Sequence, residues 1–318
     1  VSKRMVDVVA GVIRDARGRV LLTRRTEGRD FAGRWEFPGG KRKRGESPEA
    51  ALVRELREEL GIEAEPGAHL ISVPQEYPDK RLRLDVREVA EWDGTPRGRE
   101  QQAMVWVPLD KLSRYTMPPA DVPVVAALQQ PDRYLVTPLP DEDDGRWLAA
   151  LDASLAAGAS RVQFRAPGLP PARWKSLASS VARHCRRADA QLLLNADVEL
   201  ARLLGVGVHL TSAQLMALDA RPLAAELPVG ASCHDLDALR KAEALGCDFA
   251  VLGTLKPTPS HPGVAGIGWE GFARLREQVS LPIYAIGGLD AGDMDEARQH
   301  GAQGIAAIRG LWVDAVVA

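Results

Sequence analysis

The chain has 318 residues, 45% hydrophobic and 26% charged, with a net charge of −2 at neutral pH. These values exclude a disordered, collagenous or coiled-coil chain and argue against a general binder of nucleic acid or membrane surface. Cys185, Cys233 and Cys247 are too few and too widely spaced for a disulfide framework or the usual zinc patterns, and they fit a reducing cytoplasm.

The length predicts two domains. The first residues carry too short an apolar run for a signal peptide and read as a first strand, and no stretch is apolar enough to span a membrane. Residues 6–13 and 20–23 flank the turn residues Asp15-Ala16-Arg17-Gly18, which predicts a hairpin. A helix is expected over 48–60: Ser47 suits the N-cap, Pro48 the first helical position and Gly61 the stop. Residues 81–89 alternate apolar and charged side chains, as a half-buried strand does, and 104–107 read as another short strand. Pro118-Pro119-Ala120-Asp121 opens an apolar helix over 122–128. From Arg133 the texture changes to strand-then-helix units, with apolar runs at 134–136, 161–164, 192–194, 207–210, 228–232, 249–252, 283–286 and 304–308. Such alternation predicts a parallel sheet closing into a (β/α)8 barrel. The boundary is expected at Gln129-Gln130-Pro131-Asp132, giving domains of residues 1–130 and 131–318.

The stretch 39–62, GGKRKRGESPEAALVRELREELGI, is the most informative. Leu52, Val53, Leu56 and Leu60 form an apolar stripe at helical spacing. Glu55, Glu58 and Glu59 stand at i, i+3 and i+4 and are near neighbours. Like charges so placed need a positive partner, and a hard divalent cation takes carboxylate and phosphate oxygens together. The plain alternative is a solvated Glu/Arg face. Arg54 is expected to pair with Glu46 and lock the preceding loop. Lys41-Arg42-Lys43-Arg44 reads as a solvated loop with a modest pull on polyphosphate.

In Gly40, Glu46, Arg54, Glu55, Leu56, Glu58, Glu59, Gly61 and Ile62 the stretch resembles the Nudix box at every fixed place. The resemblance implies an α/β/α sandwich with a mixed sheet, hydrolysis of nucleoside diphosphates linked to another group, and Mg²⁺ or Mn²⁺. It implies metal ligation by Glu55, Glu58, Glu59 and the Gly39 carbonyl, and catalytic roles for Glu55, Glu58 and Arg54. Over about residues 5–130 the chain is similar to the MutT group, which hydrolyses 8-oxo-dGTP to the monophosphate and pyrophosphate. Trp35-Glu36-Phe37-Pro38, Arg25, Tyr77-Pro78-Asp79-Lys80, Glu100 and Trp106 carry that likeness. It implies a further metal carboxylate at Glu100 and nucleotide contacts from Arg25, Glu36, Phe37, Tyr77, Lys80 and Asp121. Asp121 stands where the group has an Asn that reads the base. An ionised Asp only accepts hydrogen bonds and a protonated one also donates. Asp121 as a helix cap, and Tyr77 and Phe37 as plain core aromatics, are the alternatives.

Residues 133–315 resemble thiamine-phosphate synthase and the TenI thiazole tautomerase group. The likeness rests on Val162-Gln163-Phe164-Arg165, Gly207-Val208-His209-Leu210, Ser232-Cys233-His234, Leu252-Gly253-Thr254 and Ala285-Ile286-Gly287-Gly288-Leu289. It implies a phosphate cradle of Thr258, Gly287, Gly288 and Arg309, a thiazole phosphate or thiamine-related ligand, and proton transfer by His234. The plain alternative for His234 is a structural role at a strand end. His209 reads as packing at the barrel top, and His261 as part of a Pro-rich lid or a bystander. Asn195-Ala196 and Thr211-Ser212-Ala213-Gln214 lack the two aspartates that the synthases use for Mg²⁺, which argues against full synthase activity. The expectation is therefore a MutT-type hydrolase with a degenerate barrel. Thiamine assembly, with the first domain clearing thiamine diphosphate analogues, is the alternative. A non-catalytic sensor or dimerisation barrel is a third reading.

Overall fold

The computed structural model describes residues 3–257, 263 and 265–314. Two compact units divide the chain. The first holds the residues up to Gln130 with the short segments Arg276–Ser280 and Arg298–Gly301, and the second holds the rest.

The first unit is built around β1 (Arg4–Val12), β2 (Val20–Arg24), β3 (Trp35–Glu36) and β4 (Gly39–Lys41), followed by α1 (Pro48–Leu60). After these come β5 (Glu63–Glu76), β6 (Lys80–Asp93), β7 (Met104–Val107) and α2 (Val122–Gln129). One sheet has the order β4-β1-β6-β5, with β1 and β6 parallel, and a second has the order β3-β2-β7. The capping of α1 follows its sequence. Ser47 accepts from the Ala50 N–H, and Gly61 ends the helix at φ 72°, where a side chain is disfavoured. Leu52, Leu56 and Leu60 are buried against Val9, Ile13 and Leu21. Each such side chain stabilises the unit by about 1.5–3 kcal/mol on burial. Val12, Leu22, Ile71, Val73 and Val86 form a separate core that includes Val124 of α2. The outcome is the expected helix–sheet–helix arrangement.

Two local expectations are corrected. The turn at Asp15 exists, with the Asp15 carboxylate accepting from the N–H groups of Arg17 and Arg19. Its flanking strands, however, join different sheets and share only the Arg14–Val20 bridge, so no hairpin forms. The 14-residue strand β5 has no counterpart in the sequence reading.

In the second unit all eight strands pair in parallel and close: β8 (Arg133–Val136), β9 (Arg161–Phe164), β10 (Gln191–Asn195), β11 (Gly207–Leu210), β12 (Val229–Cys233), β13 (Phe249–Leu252), β14 (Ile283–Ile286) and β15 (Gly304–Ala307). The helices between them are α3 (Asp144–Ala156), α4 (Pro171–Arg187), α5 (Val198–Leu204), α6 (Ser212–Ala217), α7 (Leu236–Leu245), α8 (Gly268–Arg276) and α9 (Met294–Gln299). Tyr134, Leu193, Phe249 and Tyr284 fill the barrel interior. Among the described residues no helix is long and apolar enough to cross a membrane.

Candidate functional site

Helical spacing brings Glu55 and Glu59 of α1 onto one side of a cleft of about 810 Å³, together with Glu36, Gly39, Gly40 and Glu100. The three box glutamates differ in environment. Glu59 is only 6% exposed; it accepts from the Gly39 N–H at 3.0 Å and from Gln102 Nε2 at 3.3 Å. Burial, with the Glu36 charge adding to it, pushes its carboxyl up to about 7. Glu55 lies so close to Gly40 that a Cβ there would sit 2.2 Å from Glu55 Oε2. Glu58 is 55% exposed and is not part of the cleft lining.

Arg54 explains that division. Its guanidinium reaches Glu55 Oε1 at 2.7 Å and Glu58 Oε2 at 3.2 Å, and binds Glu46 through Nε and Nη2 at 2.8 and 2.9 Å. Hydrogen bonding to Arg54 holds Glu46 down at about 2. The expected loop-to-helix ion pair is therefore present, but the same arginine draws Glu55 and Glu58 to itself. Among the described residues no three His, Cys, Asp or Glu side chains are gathered at metal-binding spacing, and Glu58 faces Arg54 rather than the cleft. The donor set still suits a hard divalent cation. Its atoms are carboxylate oxygens, and a buried carboxyl whose ionisation is disfavoured gains most from a positive partner.

A second recess adjoins the cleft and shares Val8, Arg25, Asp30, Glu36, Gly39, Lys80 and Leu82 with it. It is lined further by Phe37, Tyr77, Leu84 and Asp121. Arg25 pairs with Glu36, and Lys80 pairs with Asp30 while lying 5.8 Å from the Tyr77 ring centre. Phe37 is buried in the core and also faces this recess. Tyr77 packs against Phe31 at 5.5 Å between ring centres, and burial raises its phenol to about 12. Asp121 makes no capping bond to α2. Its carboxyl is buried instead, takes a hydrogen bond from the Phe37 N–H, and is pushed up to about 8 by desolvation and by Glu36. Glu100 is exposed, pairs with Arg29 and faces the cleft. Trp106 stacks on Trp92 away from both recesses. Arg29, Asp30 and Phe31 line the recesses too. Sequence reading passed over them because they sit in an irregular loop with no periodic signal.

Gly39 shows why the lead-in has this composition. Its φ is 156°, and a Cβ would lie 2.0 Å from the Val9 carbonyl oxygen. Only glycine lets this strand press against β1 while its N–H reaches Glu59.

The barrel holds a separate cavity of about 840 Å³ at the C-terminal ends of its strands, lined by His234, Gly287, Gly288 and Arg309 among others. His234 is exposed and lies 3.2 Å from the Gly253 carbonyl through Nδ1. Gly287 and Gly288 adopt φ of 117° and 66°. Thr258 and His261 lie outside the described residues. Gln214 is used locally: it closes a capping box with Thr211 and donates to the Ala196 carbonyl at 2.7 Å. His209 does not simply pack. It is buried at the cavity floor and bonded on both ring nitrogens, to Tyr134 and Ser232.

A family model described as NUDIX domain matches residues 4–128, and one described as Thiamine monophosphate synthase matches residues 133–311. The chain belongs to both families, a Nudix hydrolase domain followed by a barrel of the thiamine monophosphate synthase family. The CTP pyrophosphohydrolase of Escherichia coli is 42% identical over 39% of this chain and 91% of its own length. The 8-oxo-dGTP diphosphatase of Haemophilus influenzae is 43% identical over 40% of this chain and 93% of its own. The thiamine-phosphate synthase of Thiobacillus denitrificans is 35% identical over 54% of this chain and 82% of its own. Nudix hydrolases generally require a divalent metal ion, in keeping with the carboxylate cleft.

Proposed function

We propose that the chain hydrolyses oxidised purine nucleoside triphosphates, 8-oxo-dGTP foremost, to the monophosphate and pyrophosphate with Mg²⁺ or Mn²⁺. The observation that carries this reading is the continuity of the two recesses. An aromatic recess ending in a buried carboxyl opens through Arg25, Glu36 and Lys80 into the cleft of Glu55 and Glu59. A flat base fits the first, where Tyr77 and Phe37 offer ring faces and Asp121 offers polar edge contacts. The phosphates then extend past Arg25 and Lys80 toward the carboxylates.

Gly39, Glu55, Glu58, Glu59 and Glu100 would hold the cation, with Glu58 turning from Arg54 to do so. A bound cation shields phosphate charge and makes a water more acidic. Arg54 positions the glutamates and the loop before them, and Glu55 or Glu58 takes the proton of the attacking water. The three buried free cysteines support a reducing, cytoplasmic setting. Removing oxidised precursors there keeps them out of DNA.

Glu58→Gln and Glu55→Gln are each expected to lower kcat on 8-oxo-dGTP by about 100-fold or more, in line with the loss of a general base or metal ligand. Normal turnover in both would refute the assignment. A panel of 8-oxo-dGTP, dGTP, CTP and thiamine diphosphate ranks the substrates, CTP being included because a relative carries that activity in its name.

For the barrel, the family match favours a thiazole phosphate or thiamine-related ligand, with Gly287, Gly288 and Arg309 near its phosphate and His234 moving a proton. Gln214, engaged in closing its own helix, stands against full synthase chemistry. His234→Ala should impair a thiazole tautomerisation, and absence of thiazole phosphate binding by calorimetry would remove that reading.

A further inference from the structure

The turn that carries Tyr77 and Lys80 is held by a residue from outside residues 1–130. Glu277 belongs to the segment Arg276–Ser280, which is part of the first compact unit although it comes much later in the chain. It stands 196 residues after Arg81, so no local pattern points to it.

Strands β5 and β6 run antiparallel, and their last pair before the turn is Glu76 opposite Arg81. The Tyr77 N–H closes the turn by donating to the Lys80 carbonyl at 2.8 Å. Glu277 grips both members of the pair at the base. The Glu76 N–H donates to the Glu277 carbonyl at 2.7 Å, and Gln75 Nε2 donates to the same oxygen at 3.2 Å. Arg81 meets the Glu277 carboxylate as a fork, with Nε 3.0 Å from Oε2 and Nη2 3.0 Å from Oε1. Glu277 is only 5% exposed, so water competes little, and a two-pronged pair fixes direction as well as distance. Gln278 and Lys3 both donate to the Glu76 carboxylate, and Lys3 also donates to the Tyr77 carbonyl at 3.0 Å.

A two-stranded ribbon is marginal by itself, and within its sheet β5 pairs with β6 alone. Order at the turn end therefore depends on what packs beside it. The other late segment of the unit, Arg298–Gly301, presses on the same strand. A Cβ on Gly301 would lie 2.7 Å from Pro74 Cδ and 3.1 Å from the Ser72 carbonyl oxygen. We propose that Glu277 is a positioning residue for the nucleotide: by gripping Glu76 and Arg81 it sets Tyr77 and Lys80 in the base recess. Glu277 lines neither the recess nor the cleft, so it acts through the turn. The proposal rests on the nucleotide reading of that recess.

The test uses the full chain, with nuclear magnetic resonance of ¹³C-labelled tyrosine beside kinetics on 8-oxo-dGTP. Tyr77→Phe assigns the Tyr77 signal. Glu277→Ala should move that signal and leave those of Tyr134 and Tyr284 in place. Its KM should rise about 5-fold or more, the scale of one hydrogen bond lost from the ordering of the turn. Its kcat should stay within about twofold, because Tyr77 and Lys80 hold substrate and transition state alike. Mere loss of folded enzyme would do the reverse, lowering kcat and leaving KM as it is. Arg81→Ala should give the same split, and the double variant should be no worse than either single one. If Glu277→Ala does not fold, Arg81→Ala, which removes the same pair from its half-buried side, decides. An unmoved Tyr77 signal, or effects on KM that multiply in the double variant, overturns the proposal. Tyr77→Ala tells the two readings apart. A raised KM there with an unchanged one in Glu277→Ala overturns the positioning role alone. An unchanged KM in Tyr77→Ala overturns the nucleotide reading of the recess, and this proposal with it.

Discussion

Asp121 and Glu59 each hold a proton more tightly in the folded chain than an ordinary carboxyl does, at about 8 against 3.8 and about 7 against 4.5. A raised folded pKa contributes stability that is full below the unfolded value and is lost as pH rises through the folded one. The thermal midpoint of the first unit should therefore fall between about pH 5 and 8. Asp121→Asn, which cannot ionise, should flatten that fall and lie a few degrees above wild type at pH 8; equal slopes would show that Asp121 carries no such penalty. Magnesium should also flatten the slope by favouring ionised Glu59, if that group meets the cation. The residue-scale choice at Asp121 was not legible in the sequence. Position before a helix suggests capping, and only the three-dimensional burial beside Glu36 and Phe37 turns the carboxyl toward the recess. Glu58 is a similar case: spacing alone makes it a neighbour of Glu55 and Glu59, and the reach of Arg54 decides which way it faces.

Helix α1 was legible to its ends because cap, proline, stripe and terminal glycine all agree. Ser47→Ala should cost about 1 kcal/mol, read from urea unfolding followed by tryptophan emission, as loss of an N-cap bond generally does. The barrel strands were legible for a related reason, since strands covered on both faces are short apolar runs. Strand β5 was hidden by Pro66, Gly67 and Pro74, residues that ordinarily argue against a strand. It tolerates them because within its sheet it pairs with β6 alone, through register shifts around Pro66 and His69. The misread hairpin has the opposite origin. The Asp15–Gly18 turn chemistry is sound, but local signals do not say which sheet each arm will join.

At the scale of the molecule, the strand-then-helix rhythm was enough to anticipate eight parallel strands and their closure. It said nothing of which interior residues are polar and linked, because Tyr134, Gln163, His209 and Ser232 come from four separate strands. We propose domains of residues 1–130 and 131–318. Leu56→Ala and Phe249→Ala, both at fully buried positions, should each cost about 2–5 kcal/mol. In calorimetry of the whole chain they should lower two different transitions. One cooperative transition lowered by both would count against that division.

A last consequence concerns the short ribbon from Phe37 to Gly39. One end of it grips the buried Asp121 carboxyl, which we propose meets the base, and the other end grips a carboxyl of the cleft. With Gly39 wedged against β1, the ribbon has little slack to absorb a poorly seated ring. Selectivity among nucleobases is thus expected to register as slower turnover more than as weaker affinity, in the manner of a ratchet that jams rather than a door that stays shut.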